Sequence, residues 1–210
     1  ARSTAREGAA AGAWGPIAAI YLATFGLAVA WAGGISTFLP LYGDRGLALT
    51  PEVLGRTLSI AYVIEATLLL PVGWAADALG RVRVLVPGFL VMLAGVLLVP
   101  RTGSVAVFGV AATLLVLGMT VWMIPPVLLA ERLPCGFRGP AAGLYRFVSD
   151  LGYILAPVTV GWLIGRDGFT VAATVLAALF AMTAVVSLLV LGRPPRPAIA
   201  RSTPTTGDRR

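Results

Sequence analysis

The chain has 210 residues, of which 58% are hydrophobic and only 12% are charged, and its mean hydropathy is +0.91. Because soluble domains carry about 25% charged residues, this composition excludes an ordinary soluble domain and indicates a protein embedded in a membrane. The net charge of +7 does not point to a nucleic-acid partner, since the arginines lie in loops and tails beside apolar segments, where membrane topology accounts for them. We expect contacts with membrane lipids instead.

Six apolar segments are long enough, or nearly long enough, to cross a bilayer as helices, which takes about 20 residues each. In chain order they are residues 14–39, 51–75, 83–99, 104–130, 140–165 and 169–191. Strands would need alternating polar and apolar residues in a closed barrel, and the sequence shows no such alternation. The sequence therefore predicts an all-α membrane protein whose two ends lie on the same side of the bilayer.

Two of these spans carry residues that bend helices. Gly33-Gly34 can soften the first span, and Pro125-Pro126 must remove backbone hydrogen bonds from the fourth. We expect both spans to depart from a straight α-helix.

The positions of the arginines predict the orientation of the spans. They are concentrated in residues 1–13, in the second-to-third and fourth-to-fifth connections, and in residues 193–210. Because cytoplasmic segments carry the excess of positive charge, we expect both termini to be cytoplasmic. Residues 1–13 are then a cytoplasmic tail or the end of a linker, residues 14–192 the transmembrane bundle, and residues 193–210 a disordered cytoplasmic tail.

A short internal repeat relates the two halves of the bundle. Val72-Gly73-Trp74 followed by Gly80 ends the second span, and Val160-Gly161-Trp162 followed by Gly168 ends the fifth with the same spacing. The first copy lies on the cytoplasmic side and the second on the outer side. The pattern predicts two three-helix units related by inversion, as in many carriers.

The residue inventory excludes most membrane enzymes. Histidine is absent and Cys135 is the only cysteine, so a disulfide framework, a Cys/His zinc site and His-dependent intramembrane catalysis are excluded. The sequence also shows no nucleophile and base pair and no nucleotide-binding loop. We expect no catalytic residues, no metal and no cofactor.

The segment from Gly73 to Arg83 is a short charged connection between two long apolar spans. It resembles the loop signature of the major facilitator superfamily of secondary transporters, which runs Gly, three residues, Asp, a basic residue, one residue, Gly, Arg and a further basic residue. The positions in register are Gly73, Asp77, Gly80 and Arg81. Ala78 and Val82 replace expected basic residues, and Arg83 comes one place late. This eroded pattern is typical of the second-half copy of the signature.

Further clusters are similar to the second six-helix half of that family. The fourth span closes with Pro125-Pro126 and Glu131-Arg132, and the segment 145–153 is similar to the eleventh span of bacterial members. Gly152, with Ala156-Pro157 and Gly161, loosely matches the glycine and proline motif of antiporters. The resemblance covers about residues 14–192 and implies a six-helix half bundle made of two inverted three-helix repeats, in a bacterial inner membrane.

The resemblance also implies a conformational-switch motif at the cytoplasmic face. Asp77, Arg81 and Glu131 would form a charge cluster there, with Arg83 beside it. Gly73 and Gly80 would permit a tight helix-loop-helix with close backbone approach. The alternative is that these charges are solvated and only set the topology.

Three ionisable residues lie at membrane depth: Glu65, Arg146 and Asp150. A charge near the centre of a span costs about 2.5–3.5 kcal/mol on insertion scales, so it usually has a partner or a cavity. Arg146 and Asp150 are four residues apart and share a helical face. Glu65 or Asp150 is therefore a candidate proton-coupling site, and Arg146 a modulator or a contact for an anionic substrate. A static ion pair between Arg146 and Asp150 is the alternative.

Together these observations indicate the C-terminal half of a secondary active transporter that moves a small organic solute or drug by alternating access with proton coupling. Its partner would be an N-terminal six-helix half of the same polypeptide. The first residue is Ala and no signal-peptide pattern precedes the first span, so we expect the N-terminus to be truncated or processed. The alternative is a free-standing six-span carrier or channel that works as an oligomer or with a partner.

Overall fold

The computed structural model describes residues 2–133 and 137–192, which are helical along nearly their whole length. The helical segments are Arg2–Val29, Ala30–Phe38, Leu39–Leu47, Pro51–Leu79, Arg81–Leu98, Val99–Arg101, Val105–Leu117, Gly118–Val121, Ile124–Arg132, Arg138–Val186 and Ser187–Leu191. Ala30–Phe38 and Ser187–Leu191 are π-helical, and Val99–Arg101 and Gly118–Val121 are 3₁₀-helical. The tail expected at residues 193–210 lies outside the described residues.

Within the described residues, these segments join into five continuous helices that are long and apolar enough to cross a membrane. They are Gly15–Leu47, Pro51–Leu79, Arg81–Arg101, Val105–Arg132 and Arg138–Leu191. The last has 54 residues, about 80 Å at 1.5 Å per residue, whereas the hydrocarbon core is about 30 Å thick. Gly168 interrupts it with non-helical dihedral angles. Residues 138–167 and 169–191 are therefore the fifth and sixth spans, and the six-span all-α fold is confirmed.

Span boundaries differ from the prediction at two connections. The first span does not end before Pro40 but continues to Leu47, where Ala48 closes it in the left-handed conformation with φ 50°. Pro40 lies in the first turn of the Leu39–Leu47 segment, a place where proline is tolerated. The second span also runs past residue 75, to Leu79. Pro40 was therefore wrong as a boundary, because a proline that follows a π-helical segment need not end the helix.

The predicted bends coincide with irregular segments. Ala30–Phe38, which contains Gly33 and Gly34, is π-helical. In the fourth span the 3₁₀ segment Gly118–Val121 comes directly before the turn that leads into Pro125 and Pro126. Both departures from α-helix therefore lie where the sequence placed them.

Gly80 and Gly168 occupy matching places in the two copies of the repeat. Gly80 alone separates the second span from the third, with φ 99°, and Gly168 alone separates the fifth from the sixth, with φ 85°. They are the two glycines with positive φ in the described part of the chain. Because side chains rarely adopt this conformation, glycine is required at both breaks. This equivalence supports the two inverted three-helix units.

The first span packs at the centre of the bundle. A Cβ added at Gly33 would lie 3.0 Å from the Cβ of Ala156 in the fifth span, and one added at Gly152 would lie 2.6 Å from the Cβ of Ala28. A Cβ added at Gly26 would lie 3.1 Å from the hydroxyl oxygen of Thr183 in the sixth span. Small residues let helix backbones approach closely, and this packing drives helix association in a bilayer.

An aromatic cluster, buried except for the partly exposed Phe169, closes the end of the bundle opposite the signature turn. It is formed by Phe38, Tyr42, Phe108 and Phe169, with ring centroids 5.1–6.5 Å apart. The Tyr42 hydroxyl donates to the carbonyl oxygen of Thr102 at 3.1 Å. The cluster thus joins the first, fourth and sixth spans to the third-to-fourth connection.

We expect Phe108→Ala to destabilise the fold, because Phe108 is fully buried and stacks with Tyr42 at a centroid distance of 6.1 Å. The cavity should lower the free energy of unfolding by roughly 3–5 kcal/mol. The measurement is thermal unfolding of the purified protein in detergent. Phe147→Ala is the matched control, since Phe147 is 59% exposed. Equal stability losses in the two variants would contradict the cluster's role.

Candidate functional site

The signature turn brings three spans together through Arg81. Arg81 is the first residue of the third span and pairs with Asp77 in the last turn of the second span at 3.6 Å. It also forms an ion pair with Glu131 at the end of the fourth span. The Arg81 side chain is only 26% exposed, while Asp77 is 75% exposed. The structure thus places Asp77, Arg81 and Glu131 in one charge cluster.

All three charges of this cluster oppose the dipole of their own helix. Arg81 lies at the positive N-terminus of one helix, whereas Asp77 and Glu131 lie near the negative C-termini of two others. Each placement is unfavourable by about 0.3–1 kcal/mol when exposed. These residues therefore do not stabilise their own helices, and their pairing compensates for the placement. Exposed ion pairs are worth about 0–1 kcal/mol, a strength suited to a contact that opens and closes.

Three residues of the signature stay outside this cluster. Arg83 donates to the carbonyl oxygen of Leu79 at 3.4 Å and forms no ion pair among the described residues. Gly73 lies inside the second helix, and a Cβ added there or at Gly80 would meet nothing within 4 Å. Among residues 15–133 and 137–192, no close backbone approach is therefore found at either glycine, and the part of both glycines in a conformational switch stays a prediction. Gly80 is required by its positive φ, and nothing in the structure explains Gly73.

A second contact at the same end involves Arg132, for which the sequence predicted no partner. Arg132 is half-buried and donates to the carbonyl oxygen of Leu191, the last residue of the sixth span, at 3.4 Å. Unlike the cluster charges, Arg132 faces the negative end of a helix, which favours it. No local pattern could have paired residues 59 positions apart.

Glu65 lies partly exposed in the middle of the second span. It forms no ion pair with any described residue, and Arg146 and Asp150 instead pair with each other. One turn earlier Tyr62 packs against Trp31 of the first span, with ring centroids 6.1 Å apart. The structure therefore leaves Glu65 isolated, and its role in proton coupling stays a prediction.

Arg146 and Asp150 pair within the fifth span. The Arg146 Nε lies 3.1 Å from one carboxylate oxygen of Asp150 and 3.2 Å from the other. Arg146 is 76% exposed and Asp150 43% exposed, while Gly152 and Ala156 on the same helix are buried against the first span. The pair thus borders the packed stripe of the fifth span. Within the described residues no three His, Cys, Asp or Glu side chains lie close enough to hold a metal ion.

The sequence model of the Major Facilitator Superfamily matches residues 11–207, nearly the whole chain. The chain belongs to the Major Facilitator Superfamily. Over 100 residues, 47% of its length, it is 33% identical to the cis,cis-muconate transport protein of Acinetobacter baylyi.

The superfamily fold is also found in a solved structure that matches the chain. The crystal structure of the POT family transporter PepTSo superimposes on 87% of the chain with a TM-score of 0.71 and 19% identity. The matches span 24% of the muconate transport protein and 39% of the PepTSo chain. The chain thus spans well under half the length of each relative. The family and the apolar helices together show that it is an integral membrane protein of a transporter family.

We expect Asp77→Asn to slow transport by roughly fivefold while expression and thermal stability stay normal. The variant removes an exposed ion pair worth about 0–1 kcal/mol, which is too little to impair folding. If this pair holds one of two conformations, the same loss shifts their balance by up to about fivefold. The measurement is solute flux in vesicles containing the full-length protein. Asp167→Asn is the matched control. Asp167 also pairs with an arginine, Arg166 at 3.7 Å, but this pair lies at the fifth-to-sixth connection and not at the signature turn. Unchanged flux for Asp77→Asn would show that its charge is only solvated.

We expect Arg146 and Asp150 to be energetically coupled. Arg146→Asp or Asp150→Arg alone places like charges one helical turn apart, so each should lower thermal stability. The double swap should recover about 0.5–1 kcal/mol of the summed loss. The measurement is a double-mutant cycle on unfolding in detergent. Fully additive losses would argue against a direct pair.

Proposed function

We propose that this chain forms one six-span half of a proton-coupled secondary carrier that moves a small organic solute or drug by alternating access. Its charged side chains at membrane depth are Glu65 and the pair formed by Arg146 and Asp150. The muconate-transporting relative makes organic acids the first solutes to test. Flux measured in reconstituted vesicles also shows the direction of transport, uptake or efflux.

The observation that carries this proposal is the exposure of the second and fifth spans. Only 6% of the most apolar stretch of the second span is buried within the chain. Its large exposed side chains include Val63, Leu70 and Trp74, and those of the fifth span include Phe147, Ile154 and Val158. Lipid could cover these apolar faces.

Lipid does not suit the charges on the same two spans. Glu65 lies on the second and Arg146 on the fifth, and an ionised group facing hydrocarbon is costly. A second six-helix bundle that leaves a polar path beside these residues removes that cost. We propose that this bundle is the N-terminal half of the same polypeptide, as the share of each relative covered supports.

Alternating access then uses the charge cluster as a reversible contact. When Arg81 holds Asp77 and Glu131, the cytoplasmic ends of the second, third and fourth spans are tied together. Release of Arg81 from Glu131 frees the end of the fourth span for the other access state, while Gly80 keeps the second and third spans joined. The ligand shifts the balance between states by its differential affinity for them.

We propose that both termini and the charge cluster are cytoplasmic and that the membrane is a bacterial inner membrane. The excess of arginine at that end of the bundle supports this orientation. The buried aromatic cluster then faces the outer side.

The exposed faces also fit a second copy of this chain, which is the free-standing alternative. The mass of the purified assembly separates the two cases. A homodimer of 21.7 kDa chains that transports solute without a further bundle would favour the alternative.

The proposal is tested at Glu65. We expect Glu65→Gln to abolish accumulation driven by a pH gradient while exchange or downhill flux stays measurable, because the amide cannot carry the coupled proton. The measurement is uptake or efflux in reconstituted vesicles of the full-length protein, with and without the gradient.

Glu52→Gln is the matched control, since Glu52 is an exposed acid in the first turn of the same span. It should accumulate solute normally. If Glu65→Gln still concentrates solute in response to the gradient, Glu65 is a structural acid and proton coupling must lie elsewhere.

A further inference from the structure

The guanidinium of Arg146 is only partly used by its partner. Asp150 engages Nε with both carboxylate oxygens, at 3.1 and 3.2 Å. The two terminal nitrogens, Nη1 and Nη2, have no hydrogen-bond or ion-pair partner among residues 15–133 and 137–192. The side chain is 76% exposed. Asp150 thus holds the inner edge of the guanidinium and leaves its terminal fork open.

The depth of this fork distinguishes it from a surface arginine. Arg146 comes eight residues after Arg138, where the fifth span begins, so it lies about 12 Å along the helix from that end. The hydrocarbon core is about 30 Å thick and each headgroup region about 5–7 Å, so with residue 138 at the edge of the headgroups the Cα of Arg146 lies about 5 Å inside the core. An open charged fork there needs an anion or a polar cavity.

The shape of the fork selects the chemistry of that anion. The two terminal nitrogens of arginine present parallel N–H donors that match the two oxygens of a carboxylate in a bidentate pair. Asp150 already balances the charge of Arg146, so the open N–H donors decide the match. A cation offers them no acceptor, and an uncharged solute offers weaker acceptors than a carboxylate.

We propose that Nη1 and Nη2 of Arg146 bind a carboxylate of an organic-acid substrate, and that Asp150 is the positioning residue that fixes the guanidinium for this contact. The proposal rests on the proposed carrier function and names the substrate class and the residue. Tyr153 is partly buried and lies on the same side of the helix, three residues beyond Asp150.

This role gives Arg146 and Asp150 opposite effects on binding, whereas a static ion pair gives them the same effect. Arg146→Gln removes the donors and should weaken carboxylate binding by about tenfold to a hundredfold. Arg146→Lys keeps the charge but loses the fork and should fall between Arg146→Gln and the wild type. Asp150→Asn removes a nearby negative charge while its amide oxygen still accepts from Nε. It should therefore tighten binding by about threefold to tenfold.

The experiment is calorimetric binding to the full-length protein in lipid nanodiscs. The probes are cis,cis-muconate, succinate and benzoate, with benzamide as the uncharged analogue of benzoate and inorganic phosphate as the competing anion. Arg166→Gln is the matched control, because Arg166 also pairs with a neighbouring aspartate but lies at the fifth-to-sixth connection. It should bind the carboxylates as the wild type does.

Each outcome decides the proposal. Weakening by Arg146→Gln together with tightening by Asp150→Asn supports it. If Arg146→Gln does not fold, two other affinities decide the proposal. Weaker carboxylate binding by Arg146→Lys than by the wild type, together with tighter binding by Asp150→Asn, supports it, and the absence of either effect overturns it. Equal weakening by Arg146→Gln and Asp150→Asn, unchanged binding in Arg146→Gln, or a preference for phosphate or benzamide overturns it. Flux measured in vesicles separates this proposal from the carrier function on which it rests. If the protein transports another class of solute and binds no carboxylate, the substrate class is wrong and the carrier function stands. If the protein transports no solute, the carrier function itself is rejected.

Discussion

The close contact between the first and fifth spans is the constraint on which the bundle depends. Lipid chains are as apolar as leucine, so helices in a bilayer associate through packing and not through a hydrophobic force between them. Gly33 against Ala156 and Gly152 against Ala28 allow that packing. The same contact fixes which side of the fifth span is covered, and so leaves Arg146 at the border of the covered stripe. The position of the candidate site thus follows from the packing of small residues.

The two ends of the bundle are held by different chemistry. At the end that holds Phe38 and Tyr42, aromatic rings pack together and one hydroxyl donates to a backbone carbonyl. At the end that holds the signature turn, exposed charges face Arg81 against their own helix dipoles. Water competes with such pairs, and their opening costs little. Motion within this bundle is therefore easier at the signature turn than at the aromatic cluster.

Sequence patterns predicted what depends on local spacing. Hydrophobic length gave the six spans, and a four-residue interval gave the Arg146 and Asp150 pair. The charge cluster was also predicted, through the resemblance of its loop. Failures arose where a residue's effect depends on distant neighbours or on preceding helix geometry. Pro40 was tolerated after a π-helical segment, and Gly73 met open space. The Arg132 contact with Leu191 and the aromatic cluster join distant parts of the chain, so no local period encodes them.

Gly80 and Gly168 make the links between neighbouring spans a single residue long. Consecutive Cα atoms are about 3.8 Å apart, so the joined ends of each helix pair cannot separate by sliding. The second and third spans, and likewise the fifth and sixth, are therefore tethered at a pivot. Any relative movement of these spans away from the pivots has to come from bending within the helices. The π-helical Ala30–Phe38 and the 3₁₀ segment Gly118–Val121 are irregular places where such bending is easiest. The bundle thus contains two helix pairs that each pivot at one glycine, and two helices that can bend at an irregular segment.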